Sequence, residues 1–264
     1  RQLMLSPREL SYPHLQSRIW INEHLTFTHG YGVVVGPVNR ITAEGLPEFL
    51  VKDIPPQSAT GFPKITRPQI YYGETSNEYV LVKTKSQELD YPSGDQNVYT
   101  SYSGVGGIPL WSFVRKVAFA MRFGEIKILL SNDLTDQSRI MMYRVVSQRV
   151  RQIAPFFRFD RDPYMVIDDD GRMIWMLDGY TTTDRYPYSE PVPGVGNYIR
   201  NSVKVTVDAY DGTVTFYRAD DTDPIVRAYG GAFPGLLKPL DQMPEELQNA
   251  VVSGWPDWGI RVAP

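Results

Sequence analysis

The chain has 264 residues and a formal charge of −3 from 27 basic and 30 acidic side chains, with 42% apolar and 22% charged residues. That size and balance suit one large or two small globular domains, exclude a disordered chain and give no electrostatic reason to expect nucleic acid as a partner. The absence of cysteine removes thiolate zinc sites, iron–sulfur clusters, thiol nucleophiles and disulfides at once.

From the N-terminus, Leu15–Leu25 carries apolar residues at helical spacing and predicts a short helix that Gly30 and Gly32 bring to an end. Val33–Val35 is a β-branched run closed by Gly36-Pro37, a short buried strand. Ile70–Tyr72 and Tyr79–Val82 are expected to pair as a hairpin, and Asn97–Tyr102 as one more strand. Between Trp111 and Phe123 the period changes. Phe113, Val114, Val117, Ala118 and Met121 share one side of a helix, Arg115, Lys116 and Arg122 the other, and Gly124 is placed to close it. A second helix is expected from about Thr135 to Ala154, capped by Asp133 or Thr135 and ended by Pro155.

The remainder has the clearest pattern. Tyr164–Ile167 and Met173–Leu177 flank the turn Asp168-Asp169-Asp170-Gly171, and Ser202–Asp208 alternates before turning at Tyr210-Asp211-Gly212 and returning through Val214 and Phe216. Alternation means one wet face and one buried face, the mark of antiparallel pairing. Asp223-Pro224 supplies an N-cap followed by proline in the first helical position, and Pro244-Glu245 opens another helix. The fold class expected is therefore α+β, antiparallel sheets of hairpins packed against amphipathic helices. The C-terminal half reads αββββα, cystatin-like or PepSY-like by analogy. The organisation expected is an N-terminal α+β half over 1–130, a helix with a four-stranded antiparallel meander over 131–235, and a tail over 236–264, with the two halves able to form one compact domain.

Chemistry-bearing motifs are few. His14, His24 and His29 make no metal-ligand spacing, and His29, in a turn between Thr28 and Gly30, is the histidine best placed for ligand or proton work. Gly30-Tyr31-Gly32 and Gly104-Val105-Gly106-Gly107 lack the Lys-Ser/Thr of a phosphate loop, and no Gly-x-Ser-x-Gly elbow occurs. The acidic runs Asp168–Asp170 and Asp220–Asp223 read better as turns and caps than as a calcium site. No metal or other cofactor is implied. The densest polar–aromatic stretch joins the two C-terminal hairpins, and it supplies the other binding candidates: Asp184, Arg185, Tyr186, Tyr188, Asn197 and Arg200. A long loop on a sheet, rich in Tyr and Arg, suits a partner surface.

Several strings in order carry a family likeness: Arg1-Gln2-Leu3-Met4-Leu5-Ser6, Thr28-His29-Gly30-Tyr31-Gly32, Val51-Lys52-Asp53-Ile54-Pro55-Pro56, Glu88-Leu89-Asp90-Tyr91-Pro92, Thr183-Asp184-Arg185-Tyr186-Pro187-Tyr188-Ser189 and Asn197-Tyr198-Ile199-Arg200-Asn201. Over about Arg1 to Glu246 the chain resembles an uncharacterised (UPF-type) bacterial family of large multi-pass membrane proteins with a long extracytoplasmic region. The resemblance implies a cell-membrane protein, with this segment on the extracytoplasmic side and membrane spans outside it. No stretch here approaches the ~18–20 apolar residues of a span, and the chain opens on Arg1 without a signal pattern, so it is expected to be part of a longer protein. The function expected is a non-catalytic binding or assembly module for an envelope protein or glycan. The alternative is a hydrolase of envelope glycans or lipids using acids such as Asp178 and Asp184 near His29.

Overall fold

A computed structural model describes residues 3–15, 17–75, 78–94 and 96–254. Arg1-Gln2 of the first family-like string and 255–264 of the expected tail lie outside the described residues. The chain forms two compact units, Arg1–Val145 with Ala209–Gly212, and Val146–Asp208 with Thr213–Pro264. Sheets in both are predominantly antiparallel and helices are few, so the α+β class holds.

In the first unit a four-stranded antiparallel sheet runs in the order Leu3–Pro7, Val33–Pro37, Val51–Lys52, Gln57–Ser58. Val33, Val35 and Val51 are buried, as the β-branched run requires. The hairpin expected between Ile70–Tyr72 and Tyr79–Val82 does not form. Val80–Val82 pairs with Arg139–Met141, which also pairs with Ile108–Pro109, while Gln69–Ile70 pairs with Gly30–Tyr31. Val80, Leu81 and Val82 are all buried, and a run buried on both faces has no alternation to indicate its partner. Tyr71 and Tyr72 instead donate both backbone N–H groups to the Ala209 carbonyl, at 2.9 and 3.0 Å. A further hairpin joins Glu88–Ser93 to Gln96–Thr100, with a register shift between Leu89 and Tyr91.

The helix Phe113–Phe123 forms with the expected ends. The Ser112 hydroxyl accepts from the Arg115 N–H, and Gly124 closes the helix at φ 64°. Its orientation differs from the sequence reading. Phe119, Ala120 and Phe123 turn inward to Trp20, Leu25, Tyr79, Leu81 and Ile128. The stripe expected to seek the core faces outward, with Phe113 72%, Val114 75% and Met121 79% exposed. Two apolar faces compete on this helix, and the one carrying two phenylalanines next to a small alanine fills the core. The helix expected over Leu15–Leu25 is also shorter, reduced to a 3-10 turn at Tyr12–His14 and one helical stretch ending in the π-turn Asn22–Thr26.

The long helix expected over Thr135–Ala154 is corrected to Val146–Ile153. Upstream, the Thr135 and Ser138 hydroxyls hold the Lys83 carbonyl at 3.2 and 3.1 Å, Arg139–Met141 is extended, and Tyr143 sits at φ 51°. Short polar side chains that bind backbone outside a helix compete with helix formation. Asp133 accepts from Ser86 rather than capping a helix.

The second unit is built on a six-stranded sheet. Its path is Arg158–Phe159, Met173–Thr183, Tyr198–Asp208, Val214–Arg218, Leu237–Pro239, with Tyr164–Ile167 also paired to Met173–Thr183. The expected meander of four strands is there, extended by a two-residue strand before it and by Leu237–Pro239, which runs parallel to Val214–Arg218. Val203, Val205 and Val207 are buried, but Ser202 and Thr206 are buried as well, so the wet face expected from the alternation is covered in part, and Met173–Leu177 is buried throughout. The helix Pro224–Ala232 begins at the Asp223 cap, which accepts from the Ile225 N–H at 2.9 Å. The last helix, Glu245–Gly254, brings Leu247, with Met243 just before it, against Ile174, Met176 and Tyr217. Asp168 binds the Arg172 N–H and Nε, both at 2.8 Å, as a turn-forming carboxylate does.

Candidate functional site

The polar loop of the second unit joins the two longest strands, Met173–Thr183 and Tyr198–Asp208. Its residues are tied to one another. Asn197 accepts the Tyr186 N–H at 2.9 Å and donates to the carbonyls of Tyr186 at 2.8 Å and Ser189 at 3.0 Å. The Ser189 hydroxyl returns a bond to the Asn197 carbonyl at 2.9 Å, and Val192 bridges to Gly196. Gly196 has φ 95°, and a Cβ there would stand 2.4 Å from the Thr183 carbonyl oxygen, so the close return of the loop needs glycine. Tyr186 stacks on Tyr198 with ring centroids 5.2 Å apart.

Below the loop, the carboxylate of Asp223 is buried. It takes hydroxyl donors from Thr181, Ser202 and, at 3.0 Å, Tyr198, besides capping the helix. One aspartate thus joins both hairpin arms to the following helix. The cap was legible from Asp223-Pro224; the three hydroxyls come from residues 21 to 42 positions away and were not.

Of the six loop candidates, Asn197 is a clamp and Arg200 is paired to Asp220 at 3.0 Å. Arg185 and Asp184 approach only to 4.0 Å with side chains 93% and 78% exposed, a pair worth little in water. Tyr188 is fully exposed at φ 62°, an uncommon backbone for a large side chain. Tyr186 is half-exposed. Asp178 is engaged by Lys204 at 2.7 Å and Asn201 at 2.8 Å.

His29 belongs to the first unit and lies in a buried polar cluster that the sequence reading did not assemble. Its ring is fully buried, and its carboxylate neighbours Glu88 and Asp90 have side chains only 2% and 11% exposed. The single Thr28 hydroxyl proton goes to Glu88 Oε2 at 2.6 Å, so Thr28 Oγ1, 2.8 Å from His29 Nδ1, is left to accept from the ring. His29 Nε2 faces Asp90 Oδ1 at 3.2 Å, and that oxygen also receives Gln69 at 2.8 Å. Both ring nitrogens therefore face acceptors, an arrangement that favours the protonated imidazole. Burial alone would lower its pKa, but the hydrogen bonds and charges of Asp90 and Glu88 outweigh burial and raise it. Burial would raise Glu88, yet bonds from His29, Thr28 and Tyr71 hold it below the usual value. Burial and the Glu88 charge push the Tyr71 phenol well up.

Fully buried Arg144 completes the cluster. It donates to the carbonyls of Tyr71, Thr28 and Glu78 and to the Tyr12 hydroxyl, 2.8 Å away. Glu88 and Asp90 gave no signal, since they reach Thr28 and His29 from about sixty residues along the chain, and Arg144 gave none, because its partners are mostly backbone atoms. Among the described residues no group of three or more His, Asp or Glu side chains is arranged to hold a metal ion. No described helix is long and apolar enough to cross a membrane.

A family model described as "Uncharacterised protein family (UPF0182)" matches residues 1–251. A UPF0182 protein of Geobacter sp. (strain M21) is 57% identical over 250 residues, and one of Geotalea uraniireducens (strain Rf4) is 56% identical over 250. A UPF0182 protein of Pelotomaculum thermopropionicum is 51% identical over 253 residues. Each alignment covers 95% of this chain and 28% of the relative, so the chain spans little more than a quarter of their length. No solved structure matches, and the cystatin or PepSY analogy is not confirmed.

Proposed function

The chain belongs to the uncharacterised family UPF0182, and from that premise we propose that it is a non-catalytic binding or assembly module of a bacterial membrane protein, working on the extracytoplasmic side. The observation that carries the binding reading is the loop 184–197. It is clamped internally by Asn197, yet it presents Tyr188 and Arg185 almost wholly to solvent. A rigid loop that exposes aromatic and guanidinium groups loses little conformational entropy on contact, which favours partner capture. The membrane context rests on the family resemblance; in this reading the anchoring spans lie in segments outside this chain.

The hydrolase alternative has less support. His29 and its neighbour Glu88 are buried and Asp178 is paired to Lys204, which leaves Asp184 as the one open carboxylate of that reading, short of the pair that glycoside cleavage needs. The test is capture of envelope components by the immobilised chain, from extracts crosslinked in intact cells. Arg185→Ala and Tyr188→Ala are expected to weaken capture at least severalfold while leaving the unfolding midpoint in place. Normal capture by both variants would overturn the reading.

A further inference from the structure

Away from the exposed tip of the loop, the second unit contains a recess lined by Arg151, Arg158 and Arg161 together with Phe156 and Thr182. Each arginine is delivered by a different local cause. Arg151 is in the last turn of the helix Val146–Ile153, where a cation opposes the negative end of the helix dipole. Arg158 alternates with buried Phe157 and Phe159 on a strand paired to Met173–Thr183, which turns its side chain outward. Arg161 follows directly, and its backbone N–H is fixed by Asp160 at 2.6 Å. The wall between them is firm: Phe156 stacks on Tyr229 at 4.3 Å and on Phe233 at 5.0 Å.

These three charges lack the partners seen elsewhere in the unit. Arg172, Arg200, Lys204 and Arg218 each have a carboxylate well within ion-pair distance. Among the described residues, Arg151, Arg158 and Arg161 have none, and no acid lines the recess. Arg158 donates one N–H to the Gly194 carbonyl, which ties the recess to the exposed loop within one unit. Three exposed guanidinium groups lining one open recess add up to positive potential there, which attracts an anion. The planar guanidinium fork matches the paired oxygens of phosphate and carboxylate.

We propose that this recess binds a phosphate or carboxylate group, with Arg151, Arg158 and Arg161 as donors and Phe156 as the apolar wall. The inference rests on the binding reading above and gives that reading a ligand chemistry.

The test uses the full 264-residue chain titrated with polyphosphate, with polygalacturonate and with neutral dextran. The chain is expected to bind at least one charged polymer but not dextran, and to bind more weakly as salt rises. The double variant Arg151→Gln/Arg161→Gln is expected to bind about tenfold more weakly or worse with an unchanged melting curve, and Arg151→Lys/Arg161→Lys to recover part of the loss. Tighter binding of polyphosphate assigns the site to phosphate, and tighter binding of polygalacturonate assigns it to carboxylate. A wild-type chain that binds neither charged polymer, or a Gln double variant that binds as wild type does, overturns the proposal. The loop and the recess fail separately. If Arg185→Ala and Tyr188→Ala capture partners normally while polymer binding still needs Arg151 and Arg161, the loop reading falls and the recess stands; the reverse pattern removes the recess alone.

Discussion

The Asn197 side chain binds both backbone polar groups of Tyr186, accepting its N–H at 2.9 Å and donating to its carbonyl at 2.8 Å. A side-chain amide in this position substitutes for a neighbouring strand and closes the excursion of the chain between Tyr186 and Asn197. Asn197→Ala removes these bonds and the one to Ser189, in a partly exposed setting, at a cost of about 1–2 kcal/mol. The larger effect is expected to be local: cleavage within 184–197 under limited proteolysis rises before the global unfolding midpoint moves appreciably. Equal cleavage rates in Asn197→Ala and wild type would show that the amide does not set the loop.

The His29 cluster gives the first unit a pH optimum. The folded pKa of His29 lies above its ordinary 6.5, so its contribution is complete below that value and lost as pH rises through the folded pKa. Glu88 lies below its ordinary 4.5, so its contribution is complete above that value and lost as pH falls through the folded pKa. From this cluster, stability is greatest between about pH 4.5 and 6.5 and declines on both sides. Denaturation midpoints measured across pH for wild type and His29→Asn check the alkaline side, where the decline is expected to flatten in the variant. Parallel curves above pH 6.5 would mean that His29 is not charged in the fold.

Arg144 is held by shape as much as by charge. Its guanidinium serves three carbonyls and the Tyr12 hydroxyl from full burial. Arg144→Lys keeps the charge but cannot fork among four acceptors, leaving buried carbonyls unpaired and a buried ammonium poorly solvated. The expected loss is about 3–5 kcal/mol, read from chemical denaturation. A loss under about 1 kcal/mol would show that charge alone suffices.

The outward stripe of the helix Phe113–Phe123 separates two kinds of apolar residue that look alike in the sequence. Met121→Glu, at a position 79% exposed, is expected to change stability by less than about 0.5 kcal/mol and to reduce self-association at high concentration. Ala120→Glu, one residue earlier and 7% exposed, places a charge in the core and is expected to cost several kcal/mol. Sedimentation and thermal melts of the two variants give the comparison, and a reversed order of stabilities would put the wrong face in the core.

What was legible in the sequence follows from how far each signal reaches. Asp168-Asp169-Asp170-Gly171, the alternation of Val203, Val205 and Val207, and Asp223-Pro224 are local patterns, and the structure has the expected turn, strand and cap at each. Val80–Val82 failed for want of alternation, and its partner lies more than fifty residues on. Helix Phe113–Phe123 showed amphipathic spacing, but the choice between its two apolar faces was made by tertiary packing. In the candidate site, the loop residues were legible because Tyr, Arg and Asn between strands mark an exposed connection. The His29 cluster was not, since Glu88 and Arg144 reach Thr28, next to His29, from 60 and 116 residues along the chain.

The short parallel strand Leu237–Pro239 is where the second unit's sheet stops. It is three residues long, its centre is an exposed lysine and its last residue has no amide hydrogen to donate. An arriving extended chain finds too few backbone groups to copy and a positive charge to bury, so this margin resists the edge-to-edge stacking that seeds fibrils.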